Sequence, residues 1–201
     1  MTTFSAKDLC TRSCMQLKLF MEHPEKRPQP TQNQFDGCKY QDSVANTLPN
    51  LIGEEMRSTC KFDDIFINFC HDIVCEDKII ETKNVKEDRP TEDWFFESSV
   101  LQCAVYQSLL KLSDGKVTTA EFFVRQGHER VEKEINTNLP YYLYFGEDKY
   151  LVTVSNPLAI ANFILEKARA ATDWNKAREF DFVYKRKEFE TLKKYFTYEK
   201  I

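Results

Sequence analysis

Apolar positions along this chain switch between two periods. Ser5 can cap a first helix that runs through Leu17, Leu19 and Phe20, and the polar stretch with its prolines from Pro24 to Gln34 reads as a connector. A second helix is expected from about Asp36 and Gly37 to just before Pro49. Ile65 to Val74 and Lys78 to Val85 are rich in β-branched and aromatic residues and predict two strands, with Glu76-Asp77 between them as a hairpin tip. After the charged loop Lys86 to Pro90, Thr91 can cap a helix with its body at Trp94 to Leu112. Its apolar positions Phe95, Leu101, Val105, Leu109 and Leu112 recur at roughly helical spacing, and Asp114-Gly115 ends it. Further strands are predicted at Val117 to Arg125, Tyr141 to Phe145 and Tyr150 to Val154. Pro157 opens another helix, striped by Leu158, Ala161, Ile164, Leu165 and Ala168. The mixed-charge tail from Asp181 onward is expected to be helical at its end. Strands and helices intermingle throughout, which predicts an α/β fold.

Composition narrows the class. At 201 residues, 42% hydrophobic and 30% charged, with Gly 5 and Pro 7, the chain has the make-up of one globular domain spanning 1–201 and excludes collagen-like, coiled-coil and disordered classes. No secretory signal and no stretch near the roughly 18 apolar residues of a membrane helix is evident, so no membrane partner is expected. Seven cysteines without a CxxC pair suggest reduced core thiols of an intracellular, cytoplasmic protein, in preference to zinc ligation by Cys60, Cys70 and Cys75. A net charge of -4 argues at first against a phosphate-bearing partner. By segment, however, residues 1–60 carry seven basic and seven acidic side chains, 61–100 five and eleven, and 101–201 sixteen and fourteen. The acidity is therefore concentrated around one stretch, where a bound cation would reverse its meaning.

That stretch runs from His71 to Lys83. In a hairpin centred between Glu76 and Asp77, cross-strand partners have numbers summing to 153, which sets Asp72 opposite Glu81. Directly opposed like charges, with Cβ atoms about 4.5 to 5.5 Å apart, destabilise a sheet unless something offsets them. A raised carboxyl pKa, the ammonium of Lys83 on the same strand face, or a divalent cation would each do so. The last suits phosphodiester hydrolysis, where Mg²⁺ takes one or two carboxylates and leaves its other positions to water and phosphate. The plainer alternative is a solvated edge hairpin with ordinary surface charges.

Asp72 followed by Glu81-Thr82-Lys83 resembles the core of the PD-(D/E)XK nuclease superfamily, and Gln102-Cys103-Ala104-Val105-Tyr106 is similar to the Gln-x-x-x-Tyr motif of its RecB-like branch, which includes the CRISPR-associated RecB-like exonucleases. Gly37-Cys38-Lys39-Tyr40-Gln41 resembles the branch's Gly-x-x-x-His element, with Gln41 in place of the imidazole and Asp42 or Glu55 as alternative ligands. The resemblance implies a restriction-endonuclease-like mixed sheet flanked by helices and Mg²⁺ or Mn²⁺ as cofactor. It further implies metal ligands at Asp72, Glu81, the Thr82 carbonyl and Gln41, with Lys83 activating water and Gln102 and Tyr106 positioning DNA. No iron–sulfur cluster is expected, since no cysteine follows Cys103. The implied function is metal-dependent hydrolysis of DNA, as an exonuclease in recombination, repair or phage- or CRISPR-related processing. The alternative is a weak or inactive module of the same fold that binds DNA or a protein. His71 should face away from Asp72 as a packed histidine, and Asp63-Asp64 reads as a turn. Lys167 to Lys187, which interleaves basic and aromatic residues, reads either as a nucleic-acid groove or as a solvated helix with its rings turned inward.

Overall fold

Ile65–Cys75 (β3) alternates buried and exposed residues over most of its length, and the sheet is laid around it. The computed structural model describes residues 2–85, 93–113, 121–124, 127–130, 135–185 and 187–201. Along one edge β3 pairs antiparallel with Leu51–Phe62 (β2), from Phe62↔Ile65 to Leu51↔Cys75, across a two-residue turn in which Asp63 takes a φ of 50°. The turn role expected of Asp63-Asp64 is what the backbone shows. The other edge of β3 is shared. Thr2–Ser5 (β1) pairs parallel with Ile65 to Asn68, and Ile79–Lys83 (β4) pairs antiparallel only at Ile73↔Ile80 and Val74↔Ile79.

From β4 the sheet continues through Tyr141–Phe145 (β7, parallel) to Asp148–Val154 (β8) and Phe196–Lys200 (β9), giving a seven-stranded mixed sheet. Glu121–Val124 (β5) and Gly127–Arg130 (β6) form a separate two-stranded sheet. The β7–β8 turn needs Gly146, whose φ is +60° and whose position beside the Val85 side chain would put a Cβ at 3.4 Å.

Helices flank this sheet: Ala6–Thr11 (α1), Cys14–Glu22 (α2), Gln32–Ala45 (α3), Asp93–Leu112 (α4), Pro157–Ala170 (α5), Trp174–Tyr184 (α6) and Glu188–Leu192 (α7). The chain is thus an α/β protein with a mixed central sheet between helices. α4 is buried without a break from Ser99 to Leu110, so its second half is enclosed on all sides. No helix among the described residues is long and apolar enough to cross a membrane.

Several expectations need correction. The single first helix is two, because Ser13 breaks it and caps α2 in a reciprocal box with Gln16, while Ser5 ends a strand and makes no side-chain cap. The connector from Pro24 to Gln34 contains a helical turn at Pro24–Lys26, and α3 starts at Gln32 through a box between Thr31 and Gln34. The C-terminal end is a strand, β9, because the edge of β8 offers it a ladder. The Thr91 cap and residues 117–120 and 125 of the strand expected at Val117 to Arg125 lie outside the described residues; 121–124 form β5.

Candidate functional site

The fork between β3 and β4 positions the site. Their two bridges both sum to 153, so continuing the ladder places Asp72 opposite Glu81, but no backbone bridge forms there. β4 instead stays paired with β7 through Lys83↔Phe145 and leaves β3. The carboxylate of Asp72 fills the gap. Its Oδ2 accepts from the Thr82 backbone N–H at 2.8 Å and from the Thr82 hydroxyl at 3.0 Å. A side chain has taken the place of a ladder carbonyl, so it lies close to the plane of the sheet.

Strand alternation also breaks here. His71 packs against Tyr106 and Tyr141 of the main core, whereas Ile73 joins Ala45, Cys75 and Ile80 in a second cluster beneath α3. Two residues apart on a regular strand would share a face, so the irregularity falls at Asp72. His71 is fully buried, with Nδ1 2.9 Å from the Tyr141 hydroxyl, and burial lowers its pKa to about 3. It is a neutral core histidine.

Glu81 points into the protein and is 1% exposed. Its Oε1 accepts from the Lys83 ammonium and, at 2.6 Å, from the Gln102 amide on α4. Its Oε2 is buried and has no hydrogen-bond partner among the described residues. Burial, reinforced by the Asp72 carboxylate and opposed by Lys83, raises the Glu81 pKa to about 7. Burial would lower Lys83, but the Glu81 and Asp72 carboxylates outweigh it and the ammonium is held protonated.

α3 braces the fork from the other side. Gln41, itself buried, donates from Nε2 to the Asp72 carbonyl at 2.9 Å. Tyr40 donates to the Gly146 carbonyl, and the Gly146 N–H donates to the Lys83 carbonyl at 2.9 Å. The structure therefore links Gln41, Asp72 and Thr82 in one hydrogen-bonded set and Lys83, Glu81 and Gln102 in another, side by side. Tyr106, one turn beyond Gln102, is 2% exposed and packs against His71 and Phe69 in the core.

Among the described residues no group of three or more His, Cys, Asp and Glu is arranged to hold a metal ion. The donor set open to a cation is two carboxylates, Asp72 and Glu81, with Glu81 Oε2 the orphaned buried oxygen that a hard cation would satisfy. Gln41 uses its amide nitrogen on backbone, a bracing role that neither spacing nor residue type announced. Glu55, expected as an alternative ligand, and Lys7, which carried no signal in the sequence, both lie near the site. Glu55 adopts a φ of 56° in β2 and accepts a weak contact from the Cys70 thiol at 3.7 Å, and Lys7 at the start of α1 is among the cations lowering the Glu81 pKa.

The segment Lys167 to Lys187 follows the plainer alternative in part. Lys167 is buried and paired with Glu188, and Phe180 and Tyr184 stack on Phe163, while Phe182 stands exposed. Compared with protein-family models, with curated proteins and with solved structures, the chain matches none of them.

Proposed function

We propose that the fork between β3 and β4 is a metal-dependent phosphodiesterase site and that the chain is a deoxyribonuclease of the PD-(D/E)XK type, RecB-like and acting as an exonuclease. The observation that carries this reading is Glu81: a carboxylate buried beside Asp72, with one oxygen held by Lys83 and Gln102 and the other with no donor. Burying an unsatisfied charge costs several kcal/mol, a cost that core packing does not need and a cation would offset. In this reading Asp72 and Glu81 hold Mg²⁺ or Mn²⁺, with the Thr82 carbonyl as a further ligand. Bound there, the cation would supply an acidified water and offset charge developing on the scissile phosphate. Lys83, fixed as an ammonium, orients that water and faces the developing negative charge. Gln102 holds Glu81 in place, Gln41 holds the Asp72 carbonyl, and Tyr106 packs against the neighbouring His71. Hydrolysis of labelled linear DNA should require Mg²⁺ or Mn²⁺ and vanish with a chelator. Activity that survives Asp72→Ala or Lys83→Ala would overturn the assignment.

A second reading is favoured by Gln41, whose amide serves the backbone where the family pattern has an imidazole. The same fold would then be a non-catalytic module binding DNA or a protein. Calorimetric titration with Mn²⁺ separates the two, because the module needs no carboxylate-dependent metal site.

A further inference from the structure

The two acids of the fork share one pattern of hydrogen bonding. Glu81 Oε1 accepts from the Lys83 ammonium and from the Gln102 amide, and Oε2 is buried with no partner among the described residues. Asp72 Oδ2 accepts from the Thr82 backbone N–H at 2.8 Å and from the Thr82 hydroxyl at 3.0 Å, while Oδ1 accepts no hydrogen bond among the described residues. A carboxylate oxygen carries two lone pairs, so each acid has one oxygen filled by two donors and one left bare. Of the four oxygens, two are committed.

The two donors on Asp72 differ in kind. The Thr82 N–H belongs to the backbone of β4, at the point where its ladder to β3 stops, and would meet Asp72 whichever residue stood there. The hydroxyl depends on the residue. Position 82 is 8% exposed on a strand whose Ile79 and Ile80 are fully buried, a place that suits an apolar β-branched side chain such as valine. What distinguishes threonine from valine is a hydroxyl, and here it donates to an oxygen already held by its own N–H. One donor replaces the missing ladder contact; the second closes Oδ2 to any other partner.

Divalent cations differ in what they ask of a carboxylate. Ca²⁺ takes about six to eight oxygens in a flexible shell and often both oxygens of one carboxylate, whereas Mg²⁺ is smaller, near-octahedral and keeps several waters. Acids that offer one oxygen each suit the smaller ions and deny Ca²⁺ its bidentate grip.

We propose that Thr82 sets the cation selectivity of the fork: its hydroxyl closes Asp72 Oδ2, so that Asp72 and Glu81 offer one oxygen each and the site takes Mg²⁺ or Mn²⁺ in preference to Ca²⁺. Thr82 acts here through Asp72, as a positioning residue. The inference rests on the metal site of the nuclease reading and not on DNA as the substrate.

The test is calorimetric titration of Mn²⁺ and, separately, of Ca²⁺ into the intact wild-type chain, Thr82→Val, Thr82→Ala and Thr82→Ser, with folding checked by circular dichroism. Wild type should bind Mn²⁺ at least about tenfold more tightly than Ca²⁺, a readout that needs no variant. Thr82→Val, which keeps the shape, and Thr82→Ala, which removes any crowding, should both lower that ratio about tenfold, and Thr82→Ser should restore it to within about twofold of wild type. Equal loss for both ions would mark a structural role and overturn the proposal. So would a wild-type chain that binds the two ions alike, an unchanged ratio in Thr82→Val, or failure of Thr82→Ser to restore it. Metal-dependent DNA cleavage with an unchanged ratio would leave the nuclease reading and remove this one. The expected ratios without cleavage would do the reverse, and no Mn²⁺ binding by wild type would remove both.

Discussion

Two buried lysine–glutamate pairs in this protein are built from the same residues and do opposite things. Lys167 on α5 is 1% exposed and donates to Glu188 on α7 at 3.0 Å, while the neighbouring Asp181 gives both carboxylate oxygens to backbone N–H groups at the start of α2. There the charge is committed: the pair ties α5 to α7, and Asp181 ties α6 to α2. In the fork it is the acid that is enclosed. Glu81 shares Oε1 between Lys83 and Gln102, keeps Oε2 unpartnered, and has a second carboxylate, Asp72, across the strand gap. The first arrangement is balanced as it stands, and the second is left with negative charge to spare. Such an excess is what a cation-binding site requires and what a purely structural pair avoids.

The largest expected effect separates the two lysines by function. Lys83→Met should lower DNA cleavage by folded protein about 10² to 10⁴-fold, whereas Lys167→Met should leave the turnover of folded protein unchanged. Single-turnover assays on samples matched for folded fraction measure this.

Stability should fall at both sites, because each substitution strands a carboxylate. Lys167→Met strands Glu188 and is expected to cost about 3 to 5 kcal/mol in urea denaturation. Lys167→Met with Glu188→Leu should recover most of that loss, because the pair is replaced and not broken.

Glu81 and His71 differ in the sign of their pH dependence. Because the Glu81 pKa is raised to about 7 from 4.5, the folded chain holds its proton more tightly than the unfolded chain between those values. Stability contributed by the neutral form is therefore present below about pH 4.5 and lost as pH rises through about 7, by up to about 3 kcal/mol. His71, lowered to about 3 by burial, acts oppositely: its contribution is present above pH 6.5 and is lost as pH falls toward 3. Comparing wild type with Glu81→Gln cancels the His71 part. The variant should be the more stable at pH 8, converge with wild type near pH 4, and lose cleavage. Glu188→Gln should instead be less stable at pH 8.

The smallest effects concern two buried glutamines five residues apart on α4. Gln102→Ala frees Glu81 and should reduce Mn²⁺ affinity or cleavage by about tenfold. Gln107 accepts from the Val154 N–H at 2.8 Å and serves the edge of β8, so Gln107→Ala should cost about 1 to 2 kcal/mol and spare metal binding.

What was legible in the sequence follows the same division. The hairpin register was, because a two-residue tip at Glu76-Asp77 fixes every partner and the bridges Ile73↔Ile80 and Val74↔Ile79 keep the sum of 153. The α/β architecture was, from the change of period along the chain. β2 was not, since its inward positions include Glu54 and Ser58, which hide the apolar alternation expected of a strand. The α2 and α3 boxes at Ser13 and Thr31 were present as Ser/Thr-x-x-Gln signals and would have set both helix starts. The fork itself was not readable: it depends on β1 and β4 competing for one edge of β3, and on Asp72 replacing a backbone acceptor, neither of which has a local pattern. Lys167 and Glu188 are 21 residues apart in different helices, so only the fold brings them together.

The most direct measurement is calorimetric titration of Mn²⁺ into wild type, Glu81→Gln and Glu188→Gln under one set of conditions. Binding by wild type and Glu188→Gln, with none by Glu81→Gln, is the result predicted by a cation site at the unpartnered oxygen of Glu81. Equal binding in all three, or none in wild type, would contradict it.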